Sequence, residues 1–217
     1  MKTRNLFYCI AIVFLAFSCK NKTDETANQP TEMQKKVNQY ASFKLTTDVG
    51  KLTEKEKQML PLLIEVADIM EDIYWQLAYG NKDTLFLKLS DSAAIQYARI
   101  NYGPWDRLDG NAPFVEGVGP KPDGANFYPL DMTKDEFEEL NDPNKTNWYT
   151  VIRRDENNQL KVVWYHEIFK EQMEKASALL KQAAELAEDA DLKKYLQLRA
   201  DALTTSDYLA SDLAWMD

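Results

Sequence analysis

Thr53-Glu-Lys-Glu-Lys-Gln-Met-Leu-Pro-Leu-Leu-Ile-Glu-Val-Ala-Asp-Ile-Met-Glu-Asp-Ile-Tyr-Trp-Gln-Leu-Ala-Tyr-Gly80 is the stretch on which the fold turns. Its opening, Thr53 followed three residues later by Glu56, is a capping-box pattern. Beyond it Met59, Leu62, Leu63, Val66, Ala67, Met70, Ile73, Tyr74 and Leu77 recur at helical spacing. Gly80 supplies a natural stop. Pro61 lies too deep for the first turn of a helix begun at Thr53, which predicts a kink or a restart there.

The same reading extends in both directions. Ser90 to Arg99 predicts another helix. Thr133 to Glu136 repeats the capping-box pattern and opens a short helix to about Leu140, closed by Asp142-Pro143. Trp148 to Arg154 and Leu160 to Tyr165 are rich in β-branched and aromatic residues and flank Asp155-Glu156-Asn157-Asn158, a β-hairpin signal. From His166 onward the pattern is helical. Phe169, Met173, Ala176, Leu179, Leu180, Ala183, Ala184 and Ala187 form one stripe, and Leu192, Tyr195, Leu196, Leu198, Ala202 and Leu203 the next. Ser206 is read as opening a last helix with Leu209, Leu213 and Met216. The expected class is mainly α with a small β-hairpin: helix-dominated α+β.

Residues 103 to 130 break the pattern with a long Gly/Pro/aromatic loop. Five of the seven glycines and five of the eight prolines fall here, interleaved with Trp105, Phe114, Phe127 and Tyr128. Loops of this length in compact domains are usually functional or disordered, and the aromatic content favours a packed one. A site-forming loop and a purely structural one both remain open on these grounds.

The N-terminal end reads as a targeting signal. Lys2 and Arg4 precede an uncharged apolar run from Leu6 to Phe17, too short for the roughly 20 residues that span a bilayer. Leu15-Ala16-Phe17-Ser18-Cys19 resembles a relaxed lipobox, which implies cleavage before Cys19 and lipid on that residue. Residues 20 to 32 have almost no apolar content and cannot offset the entropy of ordering. The expected organisation is a signal at 1–18, a tether at 19–32 and one domain at 33–217. The expected location is the cell envelope, in the periplasm or outer membrane of a Gram-negative bacterium, with the membrane as partner through Cys19.

Charge and cysteines exclude other classes. The formal charge is −9, and cleavage before Cys19 would remove Lys2 and Arg4 with no acid. That excludes a nucleic-acid partner, which needs a basic face. The cysteines are Cys9, in the signal, and Cys19, so the domain has no thiol nucleophile and no disulfide. His166 is the one histidine. His166-Glu167 begins like the zinc pattern H-E-x-x-H, but Lys170 stands where the next ligand is needed, and zinc sites take three or four ligands. No G-x-S-x-G elbow, phosphate loop or dinucleotide fingerprint is present. No catalytic residue and no metal ligand is assigned.

Two segments of the loop carry a resemblance: Asp109-Gly-Asn-Ala-Pro-Phe114 and Gly124-Ala-Asn-Phe-Tyr-Pro-Leu-Asp-Met-Thr133, followed closely by Trp148-Tyr-Thr-Val-Ile-Arg-Arg154. This order resembles the N-terminal half of bacterial lipoproteins related to the dipeptidyl-peptidase III family, the M49 zinc peptidases, over roughly residues 40 to 217. A similar stretch occurs in plant proteins that join a Nudix domain to an M49-like region. The family is two-lobed, with zinc held by a His-Glu-x-x-Gly-His type helix and a Glu-Glu-x-Arg-Ala-Asp/Glu helix. Neither is complete here: in Leu196-Gln197-Leu198-Arg199-Ala200-Asp201 the two glutamates are missing.

The resemblance implies the non-zinc part of an M49-like peptidase, with zinc and a peptide substrate belonging to the intact protein. The chain is expected to be truncated before the zinc motifs, or a short relative, and silent alone. Asn111, Phe114, Asn126, Phe127 and Tyr128 are candidates for one wall of a substrate cleft, by composition. The rival reading is a non-catalytic envelope lipoprotein that uses the same loop to bind a peptide, glycan or protein partner.

Overall fold

The computed structural model describes residues 29–216. Cys19, the signal and most of the tether lie outside the described residues. The last two residues read as tether, Thr31 and Glu32, open α1 (Glu32–Val37), with the Thr31 side chain capping it.

The helix expected from Thr53 is α2 (Glu54–Ala78). Both hydrogen bonds of its capping box are made: Thr53 N–H donates to Glu56 Oε2 and Glu56 N–H to Thr53 Oγ1. It runs through Pro61 as one helix, so the expected restart does not occur. One missing N–H is tolerated because Met59, Ile69, Ile73 and Leu77 bury the helix on both sides of it. Two further helices follow, α3 (Lys82–Phe86), which has no strong periodic signal in the sequence, and α4 (Ser92–Asn101). After the long loop, α5 (Lys134–Glu139) repeats the complete capping box at Thr133 and Glu136.

The loop is not wholly irregular. Two short strands, β1 (Trp105–Asp106) and β2 (Ala112–Pro113), pair antiparallel as Trp105↔Pro113 and Asp106↔Ala112. The predicted hairpin is β3 (Thr150–Arg154) against β4 (Leu160–Trp164), in register from Thr150↔Trp164 to Arg154↔Leu160. Its turn is closed by the Asp155 carboxylate, which accepts the Asn157 and Gln159 N–H groups.

The C-terminal half holds α6 (Tyr165–Ile168), α7 (Lys170–Leu186), α8 (Ala190–Thr205) and α9 (Leu209–Met216). Ser206 does not open α9. It sits at φ 58° as the left-handed end of α8, and Asp207 instead accepts the Leu209 N–H. Ser is a good N-cap type, but here the chain must reverse between two packed helices, which takes a left-handed residue.

The main core lies between α2, α7 and α8, with Val151 of β3 and the predicted stripe Phe169, Met173, Ala176, Leu180, Ala183. Two smaller cores sit under the loop. Trp75, Leu85, Ala98 and Val115 form one; Val37, Ala93 and Tyr97 form the other. Val115 and Phe114 tie the loop into these satellites, and fully burying a side chain of that size contributes about 1.5–3 kcal/mol. On α9, Leu209, Leu213 and Met216 are exposed.

Candidate functional site

The loop is built on Asp106. Its carboxylate is nearly inaccessible, at 2% exposure. It accepts the Tyr97 hydroxyl at 2.7 Å, the Lys36 ammonium at 2.6 Å and the Leu108 N–H at 3.0 Å. Burial alone would raise its pKa, but Lys36, Tyr97 and the Leu108 N–H outweigh that and hold it below the usual carboxylate range. Burial, and then Asp106, push the Tyr97 phenol far above its ordinary value. The Asp106 carbonyl accepts the Asn111 N–H at 2.8 Å, closing the β1–β2 turn.

A second anchor holds the far limb. Asn126 N–H donates to Leu77 O at 2.9 Å and its side-chain amide to Gln76 O at 2.7 Å. Both are carbonyls of the last turn of α2, which has no basic residue to serve them. The neighbouring Phe127 carbonyl accepts the Ile152 N–H at 3.0 Å, fastening the loop to the edge of β3. Arg153 then reaches back along the loop. Its guanidinium donates to Asn126 O at 3.0 Å, Phe127 O at 3.1 Å and Ile152 O at 2.7 Å. Burial lowers its pKa, with Tyr165 partly opposing. Arg154, on the opposite face of the strand, pairs with Asp131 and Glu136.

The five candidate residues are thus placed in three settings. Asn111, Phe127 and Tyr128 line one open depression of about 680 Å³ with Gly110 and residues 120 to 125. Asn126 faces a different one, of about 420 Å³, with Asp72, Trp75 and Lys82. Phe114 lines neither; its ring meets Tyr97 at 4.9 Å and packs into both satellite cores. Tyr128 also lines a third depression of about 550 Å³, with Leu130, Met132 and Phe137. Residues 122 to 124 and Tyr128 line both the 680 Å³ and the 550 Å³ depressions and form the ridge between them. The ridge is tight: Gly124 has φ +72°, and a Cβ there would come within 2.4 Å of the Tyr128 ring.

Asp106, Lys36 and Arg153 were not singled out from the sequence. Arg153 and Arg154 had a signal, since adjacent strand residues point to opposite faces and need different partners. Lys36 and Asp106 had none: they are 70 residues apart.

His166 is in α6. Its Nδ1 lies 2.8 Å from the Ser206 hydroxyl, and its ring stacks on Trp164. Glu167 and Glu174 line the depression beside it. Among the described residues no group of three or more His, Cys, Asp or Glu side chains could hold a metal ion. The donor set of the described residues does not by itself make the zinc centre that the M49 resemblance implies for the intact protein.

These features define a helix-dominated α+β body whose long loop borders open depressions. Solved structures give the body its class. It matches the structure of dipeptidyl-peptidase III from Caldithrix abyssi with a TM-score of 0.78 at 39% identity, over 84% of this chain and 37% of that one. It matches dipeptidyl-peptidase III from Corallococcus sp. strain EGB with a TM-score of 0.79 at 32% identity, over 85% of this chain and 37% of that one. A curated relative, Nudix hydrolase 3 of Arabidopsis thaliana, is 28% identical over 88% of this chain and 33% of its own length. No family model matches. The chain has the fold of a dipeptidyl-peptidase III-like N-terminal portion and spans about a third of the length of the proteins it matches.

Proposed function

We propose that this chain is the non-zinc portion of an exported M49-like peptidase and is catalytically silent alone. The observation that carries the reading is the match to two dipeptidyl-peptidase III structures, at 39% and 32% identity over more than four fifths of the chain. Peptide hydrolysis would then need the zinc-bearing part that lies outside the matched third. The role left for this chain is to form one wall of the peptide site, with the ridge at 122 to 124 and the rings of Phe127 and Tyr128 as its surface. No catalytic step is assigned to these residues.

The same reading places the protein on a membrane through lipid on Cys19. The support is the order Lys2, Arg4, apolar run, Ala16-Phe17-Ser18-Cys19. Among the described residues no helix is long and apolar enough to cross a membrane.

The test is peptide hydrolysis in two forms of the protein. The full chain alone should release no dipeptide from an unblocked peptide with zinc present. The full chain fused to the part of the Caldithrix abyssi enzyme outside the matched region should do so. A fusion that is folded, binds zinc and hydrolyses nothing would overturn the reading, as would hydrolysis by the chain alone.

A further inference from the structure

Between α1 and α2 the backbone runs from residue 41 to 48 without turn or bend, and every residue of it is exposed. Among the described residues none from Ala41 to Thr47 makes a hydrogen bond or an ion pair. The segment is nevertheless tied at both ends. Tyr40 N–H donates to Val37 O at 3.0 Å, and the Asp48 carboxylate accepts the Gly50 N–H at 3.0 Å as the next turn begins. Phe43 is 88% exposed and Leu45 89%. At positions i and i+2 their side chains share one face of an extended chain. Thr47 continues that face and Thr46 lies on the opposite one, and both are β-branched residues that favour strands.

This stretch leaves two needs open at once: an apolar face, and a row of backbone donors and acceptors with no partner. A helix laid across Phe43 and Leu45 would cover the face and leave the backbone unpaired. A lipid surface would do the same at greater cost, because hydrocarbon offers the N–H groups nothing. A strand added along the edge meets both needs, with main-chain hydrogen bonds for affinity and alternate side chains for register.

We propose that residues 41 to 48 are an edge strand which pairs with a strand from the remaining part of a dipeptidyl-peptidase III-like polypeptide. The inference rests on the function proposed above. This chain spans 37% of each solved structure it matches, so the greater part of those polypeptides lies outside it and is available to cover the edge. A second copy of this chain is the poorer occupant, since each copy carries a formal charge of −9 and the two bodies would repel.

Hydrogen exchange on the full chain, alone and in the fusion described above, tests this. Alone, the amides of Ser42 to Thr47 should exchange freely. In the fusion several of them should slow by tenfold or more, and Phe43→Asp with Leu45→Asp should abolish that slowing while protection in α2 and β3 persists. An active fusion whose segment still exchanges freely would sink the strand and leave the peptidase reading standing. A folded, zinc-loaded but inactive fusion with no protection would sink both. Concentration-dependent protection in the chain alone, with a dimer in solution, would give the edge to a second copy and overturn the proposal.

Discussion

The Tyr97 hydroxyl donates to the Asp106 carboxylate at 2.7 Å, and both side chains are buried beneath the loop they organise. The other carboxylate oxygen takes Lys36 of α1, so one acid ties α1, α4 and the start of the loop together. Removing it leaves a phenol, an ammonium and an N–H without an acceptor. Asp106→Ala should therefore cost about 3 kcal/mol of unfolding free energy in a urea titration at neutral pH. Asp106→Asn should recover part of that, because an amide oxygen can still accept one of the donors.

The same carboxylate gives a pH dependence. Its folded-state pKa is depressed, so its contribution is present above the unfolded value of about 3.9 and is lost as pH falls through the folded value. Wild-type stability should drop in that acid window more steeply than the stability of Asp106→Asn. Parallel acid profiles for the two would show that Asp106 is not the group responsible.

Gly124 fails two tests that an alanine must pass. Its φ of +72° costs an L-residue about 1–2 kcal/mol. The added Cβ would also strike the Tyr128 ring at 2.4 Å. Gly124→Ala should lower stability by at least the backbone cost and swing Tyr128 away from Phe137, whose ring it meets edge-on at 6.0 Å. Tyrosine fluorescence and thermal unfolding would show both, and an unchanged midpoint would refute the steric account.

What the sequence discloses here follows the range of each interaction. The capping boxes at Thr53 and Thr133, the stripe from Phe169 to Ala184 and the Asp155 turn are local rules, and each forms as read. Ser206 is ambiguous in sequence because a serine can cap a helix start or end one in the left-handed region, and only the packing of α9 against α8 decides which. Asn111 and Asn126 look alike in composition. Asn126 is spent on Gln76 and Leu77 at the end of α2, 50 residues earlier in the chain, and so faces away from the ridge. The absent basic residue in the last turn of α2 was the available signal: orphan carbonyls there need a donor from elsewhere.

Cys19 lies outside the described residues, and its test is cellular. Cys19→Ala should release the protein from the membrane fraction or leave it with an uncut signal. Lipid chains give lasting attachment only when more than one is present, so loss of this residue should be all-or-none in fractionation. A variant that sediments with membranes and migrates as wild type would refute lipidation.

The order of the loop can be tested limb by limb. Asn111 and Phe114 N–H groups donate to Asp106 O at 2.8 Å and Pro104 O at 3.0 Å, which holds the first limb to itself. Asn126 N–H donates to Leu77 O at 2.9 Å, and Arg153 fixes the second limb through the Asn126 and Phe127 carbonyls. All three amides should exchange slowly. Hydrogen bonds from a charged donor are worth about 1.5–3 kcal/mol each, so Arg153→Met should speed exchange at Asn126 by tenfold or more. Exchange at Asn111 and Phe114 should stay as it was, because their acceptors, Asp106 O in β1 and Pro104 O just before it, are independent of β3. Equal acceleration in both limbs would mean that the loop opens as one unit, and the separate anchoring by Asp106 and Arg153 would be wrong.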